Sequence, residues 1–310
     1  MVYEHGGDVY RNKVRLDFSV NTNPLGMSEN VKKAIAENIE QFGIYPDAMC
    51  VNLRNAIAEK EQVGADNVLC SNGAAEMIFA VVRTVMPKKT LLLAPTFSEY
   101  ERALKSVGSQ ICYYYLKEEN DFELQDDFID YLDDIDMVFI CNPNNPVGKI
   151  ADKKTAQHIA EVCSERKIVC VFDECFMDLA DGYSMKEKVP VIKAFTKTYA
   201  MAGLRLGYMI ADTDFVCDVQ RQLPMWNVSV VAQIGGITAI NDNDYLEKGK
   251  KIIKEEREFL MGELKNLGFK VFNSDVNFIL FKGSVGLDKS LLKREILIRN
   301  CGNFNGLDEG

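Results

Sequence analysis

The sequence predicts an α/β protein: a large, mostly parallel sheet with helices on both faces, followed by a small α+β unit. Three observations predict it. Short apolar runs alternate with amphipathic helical stretches through the middle of the chain, the pattern of strands buried on both faces by crossover helices. That pattern changes after about residue 212, where two helical stretches and short strand-like pieces take over. The length of 310 residues suits one large α/β domain with an appendage, enough to bury a core without disulfides or a structural metal.

The elements follow in order. Residues 68–70 read as a short strand, and 74–86 as a helix by the spacing of their apolar residues. Residues 90–94 are strand-like, 97–107 helical, and 110–116 strand-like with Ile111, Tyr113 and Tyr115 alternating. A helix is expected at 126–132 and a continuous apolar strand at 137–141, ended by the turn-rich stretch 142–148. Asp152 is the expected N-cap of a helix over 152–166. Further strands are expected at 168–172, 191–195 and 206–210. Helices follow at 228–240 and 245–267, with Gly268 as the C-cap of the second. Strand-like pieces at 277–281 and 296–299 flank a short helix near 287–293. The expected division is an N-terminal arm over 1–30 that joins the small domain, a large domain over 31–245 and a small domain over 246–310, with the boundary inside the long helix.

Composition narrows the function. A net charge of −10 argues against electrostatic binding of nucleic acid. An anionic substrate then needs a local cluster of positive groups. The 9 Cys are scattered without a C-x-x-C pair and several lie in apolar runs, as reduced thiols of a cytoplasmic protein do. Only His5 and His158 are present, too few for a His-rich metal site or a Ser-His-Asp triad, so no metal is expected. His158 reads as a surface residue and His5 as a loop residue. No apolar stretch has the length of a membrane span or a signal sequence, so no membrane partner is expected.

Polar clusters follow the strands, at the carboxyl ends where open α/β sheets bind ligands. They are Ser71-Asn72-Gly73-Ala74-Ala75-Glu76, Asn142 to Gly148, Asp173-Glu174 and Thr196-Lys197. Each alone has a plain reading as turn, cap or surface. Their joint order and spacing resemble the fold-type I pyridoxal-phosphate enzymes, whose fold is the aspartate-aminotransferase-like one. Ala194-Phe195-Thr196-Lys197 through Arg205-Leu206-Gly207 looks like the family's Schiff-base lysine followed eight residues later by its phosphate-binding arginine. Asn142-Pro143-Asn144-Asn145-Pro146-Val147-Gly148 resembles the N-P-N-N-P-T-G loop, and Asp173-Glu174-Cys175-Phe176 resembles D-E-A-Y. Within the superfamily the chain is similar to histidinol-phosphate aminotransferases and threonine-phosphate decarboxylases. His5-Gly6-Gly7-Asp8 and Asp17-Phe18-Ser19-Val20-Asn21-Thr22-Asn23-Pro24-Leu25-Gly26 resemble the decarboxylase branch.

The resemblance implies pyridoxal phosphate as cofactor and assigns roles. Lys197 is the Schiff-base lysine and proton shuttle, and Asp173 pairs with the pyridine nitrogen. Asn145 donates to the ring's phenolic oxygen and Phe97 stacks on the ring. Gly73, Ala74 and Ala75 at a helix N-terminus, Thr196 and Arg205 hold the phosphate. Tyr45 reaches the phosphate of the neighbouring subunit in a homodimer. Asn23 on the arm and Arg299 are the substrate-binding candidates. Phe97 as plain core, Tyr45 as a turn residue and Arg299 in a structural salt bridge remain the alternatives.

Two departures bear on the reaction. Phe176 stands where aminotransferases carry a tyrosine, and this resembles the decarboxylase branch. In the family an arginine for the substrate carboxylate, a strand and a helix follow the stretch that here ends at Gly310, so the small domain is expected to be part of a longer one. The similarity to histidinol-phosphate aminotransferases tilts the expectation to amino transfer from an amino acid or phosphorylated amine, with a 2-oxo acid as second substrate. A phosphothreonine-type decarboxylase is the alternative. An inactive scaffold is a third reading, disfavoured by the intact Lys197, Asp173, Asn145 and Arg205 set.

Overall fold

The apolar runs do form the centre of a sheet. The computed structural model describes residues 5–307. Its strands are β1 (Leu16–Phe18), β2 (Val68–Ser71), β3 (Lys89–Ala94), β4 (Gln110–Tyr115), β5 (Met137–Cys141), β6 (Val169–Asp173), β7 (Val191–Ala194), β8 (Gly207–Ile210), β9 (Lys270–Val271), β10 (Phe281–Lys282) and β11 (Ile296–Ile298). The helices are α1 (Glu29–Glu37), α2 (Val51–Glu61), α3 (Gly73–Val85), α4 (Ser98–Ser106), α5 (Lys153–Glu165), α6 (Phe195–Thr198), α7 (Thr213–Gln220), α8 (Val230–Ile240), α9 (Asn243–Asn266) and α10 (Leu287–Leu292).

Seven strands form one sheet in the order β2-β8-β7-β6-β5-β3-β4. Strands β4, β3, β5, β6 and β7 run parallel, and β8 runs antiparallel to both its neighbours. Successive residues of each strand point to opposite faces. Val138, Ile140, Phe172 and Val191 therefore pack with Leu53 and Ile57 of α2, Ile159 of α5 and Ala232 of α8. Phe139, Val171 and Ile192 pack on the other face with Met77 and Ile78 of α3, Tyr100 and Leu104 of α4 and Val216 of α7. Caps fix the helix ends. Asp152 accepts from the Lys154 and Thr155 amides to start α5, as its position in the sequence implies. Gly268 takes a φ of +87° after α9, the left-handed conformation that ends helices.

The C-terminal unit is more loosely covered. β9 and β10 form an antiparallel pair, and β11 pairs in parallel with β1 of the arm, Leu16 opposite Ile296. Phe18, Phe259, Leu267 and Val285 are exposed there. Two expectations are corrected. Residues 126–132 form a 3₁₀ helix, Asp126–Tyr131, because Asp126, Asp127 and Asp130 leave too narrow an apolar face for a longer α-helix. Of the strand expected over 277–281 only Phe281 lies in β10, and the Asn277 side chain bonds the Asn21 and Thr22 carbonyls of the arm. Helices α1, α2 and α7 were not read from the sequence at all.

One residue breaks the apolar run of β7. Lys193 is 4% exposed and bonds Glu61 of α2 at 2.7 Å and Asp178 at 2.8 Å. The Tyr208 hydroxyl donates to the same Glu61 at 2.7 Å, and Lys60 reaches the Tyr199 hydroxyl nearby. Burial alone would lower the Lys193 pKa, but Asp178, Glu61 and Glu174 reverse that and hold it above the ordinary lysine value.

Candidate active site

The carboxyl ends of β6 and β7 and the turn from β2 into α3 place three functional groups at one end of the sheet. β7 runs directly into α6, so Lys197 emerges at the strand end. The backbone N–H of Asn23 donates to the Lys197 carbonyl at 2.9 Å, and its side-chain amide donates to the Thr198 carbonyl at 3.0 Å. Asn23 is 2% exposed and its Oδ1 accepts from the Leu25 amide. Asn23 thus braces the lysine turn.

The Lys197 ammonium donates to Asn21 Oδ1 at 2.6 Å and lies 5.6 Å from the Phe176 ring centroid. Burial pushes its pKa down to about 8; Arg205 pushes the same way, while Cys175 and Asp173 oppose. A depressed pKa gives the uncharged amine that nucleophilic chemistry needs.

Asp173 ends β6, opposite Cys141 of β5. It is 3% exposed, accepts from the Tyr100 hydroxyl at 2.7 Å and from the Cys175 amide at 3.0 Å. Burial raises its pKa, against the donors at Cys175 and Tyr100 and the charge of Lys197. A carboxylate desolvated this far is suited to a cationic partner.

The third group is an anion cradle. Helix α3 begins at Gly73, whose φ is +80°. A Cβ there would sit 2.4 Å from Arg205 Nη2, and one at Gly207 would sit 2.6 Å from the Ala74 nitrogen. Only glycines allow the guanidinium, the strand and the first turn of α3 to come this close. The amides of Ala74 and Ala75 belong to that first turn, where N–H groups have no partner within the helix. Arg205 is itself held in a left-handed conformation, φ +56°, and donates Nη1 to the Ala202 carbonyl at 3.1 Å. Thr196 stands on α6 just before Lys197.

Asn145 lies in the loop after β5, which is tied at both sides. Asn142 donates its amide to the Asp173 carbonyl at 2.8 Å, and Asn144 donates its side-chain amide to the Pro95 carbonyl at 2.9 Å. Phe97 precedes α4 and meets the edge of Tyr100 at 5.7 Å. His5 bonds Glu99 at 3.0 Å, joining the arm to α4.

Two site candidates sit apart from this group. Tyr45 is 79% exposed and lies against the Trp226 ring at 4.9 Å. Arg299 directs Nη1 to the Asn300 carbonyl at 2.7 Å and Nη2 to Asn303 at 2.8 Å, over the Phe304 ring. The turn it organises comes back to the site's rim: a Cβ on Gly306 would lie 3.3 Å from the Ala94 carbonyl. Sequence reasoning missed Tyr100 as a partner of Asp173. Its place in the first turn of the helix that follows Phe97 was the available signal.

The geometry has counterparts in known proteins. Residues 13–307 match the family described as aminotransferase class I and II. The threonine-phosphate decarboxylase of Salmonella typhimurium is 34% identical over 94% of this chain and 84% of its own. The histidinol-phosphate aminotransferase of Caldicellulosiruptor saccharolyticus is 31% identical over 90% of this chain and 81% of its own. The crystal structure of the histidinol-phosphate aminotransferase from Clostridium acetobutylicum superposes with a TM-score of 0.88 at 32% identity, covering 95% of this chain and 92% of that one.

Proposed function

The chain belongs to the class I and II aminotransferase family of pyridoxal-phosphate-dependent enzymes, and from that premise we propose that it is a lyase that decarboxylates a phosphorylated amino acid. The residues fit the cofactor. A buried carboxylate, a half-buried lysine of lowered pKa and a glycine-lined arginine cradle stand together at the strand ends. In this reading Lys197 holds the cofactor and later moves a proton at its Nζ. Asp173 pairs with the ring nitrogen, Asn145 donates to the ring oxygen and Phe97 covers the ring. Gly73, Ala74, Ala75, Thr196 and Arg205 take the phosphate. The bound cofactor supplies an electron-withdrawing ring that accepts the electrons of the bond broken at the substrate's α-carbon. Lys197 returns a proton to that carbon, so its charge state sets the rate.

The observation that carries the choice of reaction is Phe176. Its ring, not a tyrosine hydroxyl, faces the Lys197 nitrogen. This departs from the aminotransferase pattern and shifts the preference from amino transfer, favoured on sequence, to the lyase. Amino transfer from a phosphorylated amine such as histidinol phosphate stays as the second reading, supported by the relatives of that activity. Arg299 offers positive charge to a substrate phosphate at the rim. The protein acts in the cytoplasm as a homodimer, with the exposed Tyr45 completing the partner's phosphate site, and the arm works with the small domain over 246–310. Among the described residues no helix is long and apolar enough to cross a membrane.

The test is incubation of the loaded protein with phosphothreonine, following CO2 and 2-oxo acid together. CO2 without 2-oxo acid is expected. Amino transfer from histidinol phosphate to a 2-oxo acid, with no CO2 from phosphothreonine, would select the second reading.

A further inference from the structure

Asp173 is held from two sides. Tyr100 donates its hydroxyl to Oδ2 at 2.7 Å and the Cys175 backbone donates to Oδ1 at 3.0 Å. Tyr100 is fully buried. Its ring stacks on Phe139 of β5 at 5.0 Å and 8°, and meets Phe97 edge-on at 5.7 Å and 83°. One side chain therefore touches both the carboxylate and the aromatic residue proposed to bracket the cofactor ring. A hydroxyl in so apolar a place is costly unless it is bonded, and Asp173 is the acceptor it has.

We propose that Tyr100 is a positioning residue for the cofactor: it aims the Asp173 carboxylate at the ring nitrogen and favours its ionised form. The inference rests on the pyridoxal-phosphate reading above. The titratable groups facing Asp173 are Tyr100 of α4, Cys141 of β5, Cys175 and Lys197. The Cys141 thiol is directed to the Pro143 carbonyl at 3.3 Å. Lys197 is spent on the cofactor once loaded. The Tyr100 hydroxyl is then, with the Cys175 thiol, one of the two side-chain donors that keep a proton off Asp173. Without it the buried carboxyl takes up a proton more readily, and a neutral acid holds a protonated ring nitrogen poorly. Phe139 and Phe97 contacts survive in a Tyr100→Phe variant, so that change removes the donor alone.

The experiment is a pyridoxal-phosphate titration of the wild type, Tyr100→Phe, Asp173→Asn and the double variant, read by absorbance, with melting curves of the cofactor-free proteins. Cofactor-free Tyr100→Phe should melt within about 5 °C of wild type. Its cofactor Kd should rise about tenfold, the size of one charge-assisted hydrogen bond. The pH dependence of the bound cofactor's spectrum should shift as well. In the Asp173→Asn background the same change should cost nothing further, since the residue acts through Asp173. Unchanged affinity and spectrum in Tyr100→Phe would overturn the inference. So would an equal loss in the Asp173→Asn background, which would make Tyr100 a wall only. A wild-type protein that takes up no pyridoxal phosphate would instead overturn the premise, and the inference with it.

Discussion

Two lysines, one buried and one half-buried, lie four residues apart at the end of one strand, and they are driven in opposite directions. Lys193 is held above the ordinary lysine value, and Lys197 is pushed down to about 8. Burial disfavours the charge of both. What differs is the company. Lys193 points to the face where Glu61, Asp178 and Glu174 gather. Lys197 sits beyond the strand, near the Arg205 charge and bonded to a neutral amide, Asn21. The same residue type is a permanent cation in one place and a titrating amine in the other. Burial alone does not make a lysine reactive; the charges that share its pocket decide.

The largest effect that sharpens this contrast comes from Lys197→Ala. It should cost about 10⁴-fold in turnover, the upper range for losing a proton-transfer group, with the melting temperature nearly unchanged. Lys193→Met should do the reverse. It removes the ion pair of Asp178 and leaves Glu61 with Lys186 alone, and losing one partner of a buried ion pair costs about 3–5 kcal/mol. Protein that remains folded should still take up the cofactor, as absorbance can show.

Acid should expose the same network. Burial would raise the Glu61 and Asp178 pKa values, but Lys193 overrides it and both lie below the usual carboxylate range. Groups depressed in the folded state stabilise it above their unfolded values, about pH 4, and lose that contribution as the pH falls through the folded ones. Lys193 carries its charge throughout. Melting temperature against pH should therefore fall steeply below about pH 4, and less steeply in Glu61→Gln.

The cofactor-free protein gives a finer test of the pocket around Lys197. Its rate of pyridoxal-phosphate uptake should rise with pH and level off near pH 8, where the amine becomes uncharged. A rise that continues to the ordinary lysine range would break the comparison. The smallest effect belongs to Asn21→Ala. Removing the acceptor of the Lys197 ammonium should lower that midpoint, on the order of half a unit.

The two lysines also mark how far the sequence could be read. Lys197 was legible because Thr196, Arg205 and the strand before them form a local pattern. The strands of the large sheet were legible for the same reason: β5 and β6 are continuous apolar runs, which burial on both faces requires. Lys193 carried a signal too, a charge inside an apolar strand, but its partner Glu61 lies 132 residues away. Tyr100 and Asp173 are 73 apart. Such pairs exist only after the sheet assembles. The pairing of β1 with β11 was hidden because three residues are too few for periodicity to show. The bracing role of Asn23 was not legible because its type suits a ligand and a turn brace equally; its bonds to Leu25 and Thr198 appear only in the fold.

The central claim is that Lys197, and not Lys193, carries the cofactor. Borohydride reduction of the loaded protein, followed by peptide mass spectrometry, tests it directly. A pyridoxyl group is expected on Lys197 alone. A pyridoxyl group on Lys193 or any other lysine, with Lys197 unmodified, would contradict it.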